Sequence, residues 1–211
     1  MTDTRKPGRP KDPDLEARRK AEILAAAAPV FAAAGFASAD VQDIADAVGV
    51  GKGTVYRYFP TKEALFLATV EKGLGELSDE IDAIVADPTA DPVEQVATAV
   101  RTYLAFFAGR PDMAELFIQE RAAFRHHHRP LYFAKDDEHE AMHRAIFDRL
   151  VATGRLRPIG MERFFAVLGD LLYGTILTNL LANRPADPAA QANDVLDVIF
   201  HGVLKPTEGE R

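Results

Sequence analysis

The stretch from Asp40 to Phe66, DVQDIADAVGVGKGTVYRYFPTKEALF, constrains the fold more than any other part of the chain. Asp40 is a strong N-cap, and acidic Asp43 follows in the first turn. Val41, Ile44, Ala45 and Val48 then recur at helical spacing. Gly49 ends this short helix, Gly51 opens another, and Pro60 closes that one. Thr61 caps a third helix, with Glu63 near its positive end. The third helix carries Leu65, Phe66, Val70, Leu74, Leu77, Ile81 and Ile84 to about Ala86. Two short helices around a glycine turn, backed by a further helix, outline a helix-turn-helix, whose second helix enters the major groove of duplex DNA.

The side chains of the second helix suit that role. Lys52 and Arg57 can donate to guanine O6 and N7 or neutralise phosphates. Tyr56 and Tyr58 can donate to phosphate oxygens, and Thr54 adds a hydroxyl. Gly53 lets the backbone come close to base edges. Val55 and Phe59 are the residues that would hold the helix against its neighbours. Lys62 places a cation beside the open N–H groups that begin the next helix, a favourable place for a phosphate.

Charge is distributed in keeping with this. The net charge of −7 is unusual for a nucleic-acid binder, but residues 1–62 hold 10 Lys+Arg against 8 Asp+Glu, and the rest holds 15 against 24. The basic excess therefore lies at the amino-terminal end. Residues 1–13 are polar and proline-containing, and are expected to form a flexible basic arm with Arg5, Lys6, Arg9 and Lys11. Its GRP at 8–10 resembles the core of an AT-hook, so Arg9 is a candidate minor-groove contact. A solvated tail is an equal reading.

The remainder reads as helices. The first spans about 14–34, with an apolar stripe of Leu24, Ala27, Ala28 and Phe31, a kink expected at Pro29 and a stop at Gly35. Beyond the loop with Asp87-Pro88 and Asp91-Pro92, helical patterns cover roughly 92–109, 111–127, 130–153, 160–183 and 188–204. No run of strands, internal repeat or Gly-rich phosphate loop is found. The chain has no Cys, which excludes a disulfide framework. The most apolar segment, Phe164 to Ala182, is interrupted by Asp170 and Asn179, so a buried helix fits it better than a membrane span. With no basic start leading into an apolar run, a cytoplasmic protein without a membrane partner is expected.

Residues 14–66 resemble the DNA-binding domain of the TetR (tetracycline repressor) family of bacterial regulators. The likeness rests on Phe31 with Gly35-Phe36, on DIADAVGV at 43–50 and on KGTVYRYFPTKEALF at 52–66. It implies an all-α homodimer of about nine helices. Residues 14–62 would form the helix-turn-helix domain, and residues 63–211 a larger ligand-binding and dimerisation domain. It also implies a palindromic operator as partner, repression, and release by a small, largely apolar effector, with no cofactor and no enzymatic activity. By the same resemblance Lys52, Gly53, Tyr56 and Arg57 meet bases or nearby phosphates, and Tyr58 and Lys62 meet the backbone. Two positions depart from the family pattern. Gly51 stands where many members have a capping hydroxyl. Ala39 and Asp40 stand where hydroxyls often bind phosphate, which leaves Ser38 as the candidate to take that role. The helix from Thr61 would link the DNA-reading head to the body and carry the signal of a bound ligand.

In the carboxyl-terminal part, Tyr103, Phe106, Phe107, Phe117, Phe124, His127, Phe147 and Tyr173 are candidate pocket residues; ordinary core is the first reading for each ring, and the sequence does not separate the two. Phe165, Leu168, Leu172, Ile176 and Leu180 form one stripe, and Val195, Leu196, Ile199 and Val203 another. Paired with a second copy they would make a four-helix dimer interface. Five of the six histidines fall within 126–143. His139 and His143, four apart, could chelate a metal with Glu140 or Glu120, line a ligand pocket, or sit in a polar corner. A metal-sensing regulator and a metal-dependent enzyme are the alternative functions, although no HExxH motif or nucleophile elbow occurs.

Overall fold

The computed structural model describes residues 13–124, 129–132, 139–185 and 187–203, the last without its side chain. Arg9 and its arm, His126, His127, His128 and the Val203 side chain therefore lie outside the described residues. Nine helices and no strand occur among the described residues: α1 Pro13–Ser38, α2 Val41–Ala47, α3 Lys52–Tyr58, α4 Lys62–Val85, α5 Pro92–Gly109, α6 Pro111–Phe124, α7 Glu140–Ala152, α8 Met161–Leu181 and α9 Pro188–Val203. The chain divides into two compact units between Thr69 and Val70, a boundary inside α4.

The first unit is built on a small aromatic core. On α1 the fully buried row is Ile23, Ala27 and Phe31, spaced by four residues. Leu24 and Ala28, expected in the stripe, are only half-buried, because the ridge ending in Phe31 is the one that meets Phe66. Phe31 and Phe66 pack edge to face at 5.1 Å, and Phe36 meets Phe66 at 5.2 Å. α1 runs on to Ser38, and its one non-helical residue is Gly35 (φ 77, ψ 151) rather than Pro29. Pro29 lies on the exposed face. α2 starts at Asp40, whose Oδ1 accepts from the Gln42 N–H at 2.8 Å. It ends in a Schellman pair, Val50 N–H to Ala45 O and Gly49 N–H to Asp46 O, which needs the left-handed φ of 66° at Gly49. Thr61 Oγ1 accepts from the Ala64 N–H at 3.0 Å and caps α4.

The second unit is a helical bundle around α5. Nine α5 residues are buried, while Glu94, Thr98, Arg101 and Ala105 form one exposed stripe, as expected of an amphipathic helix. It contacts α6, α7, α8 and most extensively α9. Asp91 caps it by accepting from the Val93 N–H at 2.8 Å. The buried Gln95 amide donates to Ile84 O and Asp87 O and ties the end of α4 to α5. Asn179 and Gln191 exchange two amide hydrogen bonds between α8 and α9. α1 and α8 are long and apolar enough to cross a membrane by length and composition alone. In α8, however, Phe164, Leu168, Leu172 and Ile176 are buried in a helix that packs on α5, α6, α7 and α9. α7 is shorter than the span of 130–153 expected from the sequence, since its described part begins at Glu140 with His139 at the N-cap.

Burying a Phe ring contributes about 1.5–3 kcal/mol, and each edge-to-face pair about 0.5–1.5 kcal/mol more. Phe31→Ala is therefore expected to cost about 3–5 kcal/mol in denaturant unfolding followed by far-ultraviolet circular dichroism. A loss below about 1 kcal/mol would contradict this packing.

Candidate nucleic-acid interface and cavity

In the first unit α3 is anchored from one side. Val55 is 1% exposed and Phe59 8%, so these two hold the helix while the opposite face turns outward. That outward face carries Gly53, Tyr56 and Arg57, all exposed, with Lys52, Thr54 and Tyr58 half-buried at its edges. Tyr56 is one of the few large apolar-bodied side chains left in solvent, at 37%. A Cβ added at Gly53 would meet nothing within 4 Å, and its φ is not positive. Neither packing nor backbone strain within the chain requires glycine there, so any requirement comes from outside the chain. Gly51 caps α3 without a side-chain bond. The Arg57 guanidinium lies over the Tyr58 ring at 5.0 Å and donates to its hydroxyl at 3.3 Å.

The two lysines are already engaged. Lys52 Nζ donates to Asp40 Oδ1 at 2.6 Å. The Gln42 backbone N–H and the Lys52 ammonium hold the Asp40 carboxyl below the usual carboxylate range, and Asp40 in turn raises Lys52. Lys62 Nζ donates to Ala37 O at 2.9 Å and Ala39 O at 3.1 Å, and sits 5.1 Å from the Phe36 ring centroid. An ammonium has three donors, so a phosphate at Lys62 would share the third. Ser38 is exposed at the end of α1.

In the second unit, α4, α5, α7 and α8 surround a cavity whose space for the centre of a water molecule is about 180 Å³. Leu74, Leu77, Ile81 and Val85 of α4 form one wall, Val96, Val100 and Tyr103 of α5 another, and Ile146, Phe165, Leu168 and Leu172 complete it. Polar groups gather where α4 faces the start of α7. Ser78 Oγ is in hydrogen-bonding contact with His139 Nε2, the Asp82 carboxylate lies 4.0 Å from the same nitrogen, and His143 stacks on Phe165 at 4.1 Å. Tyr103 donates to the Tyr132 hydroxyl at 2.9 Å.

Of the aromatic residues that could be pocket or core, most are core, and Phe107 also lines a smaller cavity beside Leu180. Tyr103 does line the cavity. Phe106, Phe107, Phe117, Phe124 and Phe147 are buried, packed in ring clusters such as Phe107 on Phe117 and Phe147 on Phe164. Tyr173 meets Phe117 and Tyr132, and burial pushes its phenol above the usual value. The α4 wall is absent from the residues expected to line a pocket, although Leu74, Leu77 and Ile81 of its apolar repeat are among those that form it. Of the histidines, His139 and His143 stand at the cavity wall. Among the described residues no group of three or more His, Asp or Glu side chains is placed to hold a metal ion.

The residues expected to meet a second copy need the same correction. Leu168, Leu172, Ile176, Val195, Leu196 and Ile199 are buried within the single chain, since α8 and α9 both pack on α5. Phe165 turns to the cavity, and Leu180 lines a second, smaller one beside Asn179 and Gln191. The apolar side chains these helices leave exposed are Val167 (43%), Leu181 (75%) and Val198 (60%).

Residues 23–69 match the family model of bacterial regulatory proteins of the tetR family, and residues 89–169 match a tetracyclin repressor-like C-terminal domain. The chain belongs to the TetR family. Among curated TetR-like relatives, the HTH-type transcriptional regulator EthR of Mycolicibacterium smegmatis is 30% identical over 110 residues, covering 52% of this chain and 49% of that protein. The chain spans about half the length of the first curated relatives it matches. Two solved structures share the fold. FadR from Bacillus subtilis, in complex with stearoyl-CoA, superposes with TM-score 0.71 at 20% identity over 86% of this chain and 98% of that one. A Saccharomonospora viridis regulator in complex with choline gives TM-score 0.71 at 17% identity over 90% and 100%. The TetR fold thus accounts for all nine described helices.

Proposed function

We propose that this TetR-family chain is a cytoplasmic transcriptional repressor that binds a palindromic operator as a homodimer. A small, largely apolar molecule seated in the second-unit cavity would release it. The observation that carries the DNA-reading part is the outward face of α3, where Gly53, Tyr56 and Arg57 stand exposed above buried Val55 and Phe59. Successive major grooves are roughly 34–36 Å apart, so two such helices bind together only at one separation. α4 offers the route for control. Its first turns belong to the DNA-reading unit, and Leu74, Leu77 and Ile81 further along it line the cavity. A ligand that prefers one seating of those side chains biases the same helix.

The effector's chemistry follows from the wall. Aliphatic and aromatic side chains would hold an apolar body, and Ser78, Asp82 and His139 would orient one polar group. The FadR and Saccharomonospora structures hold stearoyl-CoA and choline respectively, so proteins of this fold that take small molecules support the reading without naming the ligand. For the dimer, Val167, Leu181 and Val198 are the large apolar side chains of α8 and α9 that stand exposed to meet a second copy.

Three measurements test these parts. Tyr56→Ala and Arg57→Ala should each weaken operator binding by at least tenfold, about 1.4 kcal/mol, with unchanged thermal unfolding. Equal affinity of both variants and the parent in an anisotropy titration would remove α3 as the reader. Lys62→Ala is the poorer probe, because it also frees the carbonyls of Ala37 and Ala39. Gly169 lines the cavity and has open space at its Cβ. Gly169→Leu should therefore fill the cavity and reduce binding of the apolar fluorophore anilinonaphthalene sulfonate, and undiminished binding would place the ligand elsewhere. Val198→Glu should shift the chain toward monomer in light scattering, whereas an unaltered dimer would exclude that face.

A further inference from the structure

We propose that Asp40 is a charge brake on the DNA-reading helix: it holds Lys52 in an ion pair that must open before Lys52 can neutralise a phosphate. This rests on the reading that α3 docks on DNA.

The geometry is specific. One oxygen of Asp40, Oδ1, accepts both the Gln42 N–H at 2.8 Å and Lys52 Nζ at 2.6 Å. The first bond is the N-cap of α2, so it fixes where the carboxylate points. The second reaches across the turn to the first residue of α3. In helix-turn-helix proteins the amino-terminal residues of the second helix are the ones that contact base edges, so the pair occupies the end of α3 that DNA must approach.

The pair contributes little to the fold. Both side chains are substantially exposed, at 39% for Lys52 and 56% for Asp40, and exposed ion pairs stabilise weakly. Its consequence is for charge. Across residues 40–59 the aspartates 40, 43 and 46 face only two cations, Lys52 and Arg57. A duplex approaching Lys52 meets a carboxylate on the same ammonium. On DNA of arbitrary sequence the pair stays closed, and Lys52 contributes no counterion release. The head therefore binds such DNA less tightly than its lysine content implies.

Asp40→Asn isolates the charge, because asparagine caps a helix as well as aspartate does. The probe is a fluorescein-labelled duplex of random sequence, titrated by anisotropy with the full chain between about 50 and 200 mM KCl. Asp40→Asn should bind more tightly than the parent at low salt, and the slope of log K against log salt should steepen by about 0.9. The variant then loses about threefold to fourfold more affinity than the parent across that range. In a Lys52→Ala background the same substitution should leave the slope unchanged. Parallel salt lines for parent and Asp40→Asn overturn the proposal. So does a steepening that persists without Lys52, which would assign the effect to another group. Should Asp40→Asn melt early, Asp40→Ser, also a good cap, gives the same comparison. If neither parent nor variant binds any duplex at low salt, the DNA-reading assignment itself fails, an outcome distinct from parallel lines.

Discussion

The first unit depends on the burial of Phe66 between Phe31 and Phe36. That junction fixes the first turns of α4 against α1, and Lys62 reinforces it by donating to the carbonyls of Ala37 and Ala39. With both ends of the platform set, α2 and α3 have a surface to pack on. Val55 and Phe59 use up one side of α3. The polar and aromatic residues on its other side are then exposed because a seven-residue helix anchored on one face has nowhere else to put them.

Electrostatics refines this arrangement. The amino-terminal segment is only slightly basic, and several of its cations are committed within the chain: Lys52 to Asp40 and Lys62 to two carbonyls. A phosphate must therefore compete with internal partners for these ammonium groups. Affinity for a duplex then depends on exchanging one set of charge-assisted bonds for another, which rewards a correctly shaped site and penalises a casual encounter.

The second unit follows a different logic. α5 contributes nine buried residues, and α6, α7, α8 and α9 all pack against it. The cavity is the space these helices leave beside α4. Ser78, Asp82 and His139 place polar groups at the edge of an otherwise apolar wall. A chain held together in this way hides the stripes of α8 and α9 in its own core.

The sequence alone was enough for the helix count, the caps at Asp40 and Thr61, the glycine turn at Gly49 and the outward character of α3. All of these rest on interactions within a few residues, namely periodicity, capping and backbone preference. It places Leu24 and Ala28 beside Ala27 and Phe31 in the buried row of α1, where Ile23 is the residue that joins them, and it leaves core and pocket unseparated for rings such as Phe117. It also read Leu168, Leu172 and Ile199 as a surface for a second copy. It gave no sign that Asp40 would reach Lys52, twelve residues away. Helical periodicity says which residues are apolar and share a face, but not what that face meets. Partner choice depends on contacts between elements distant in sequence, so the tertiary structure alone decided which apolar faces became core, which became cavity wall, and which charges were already paired.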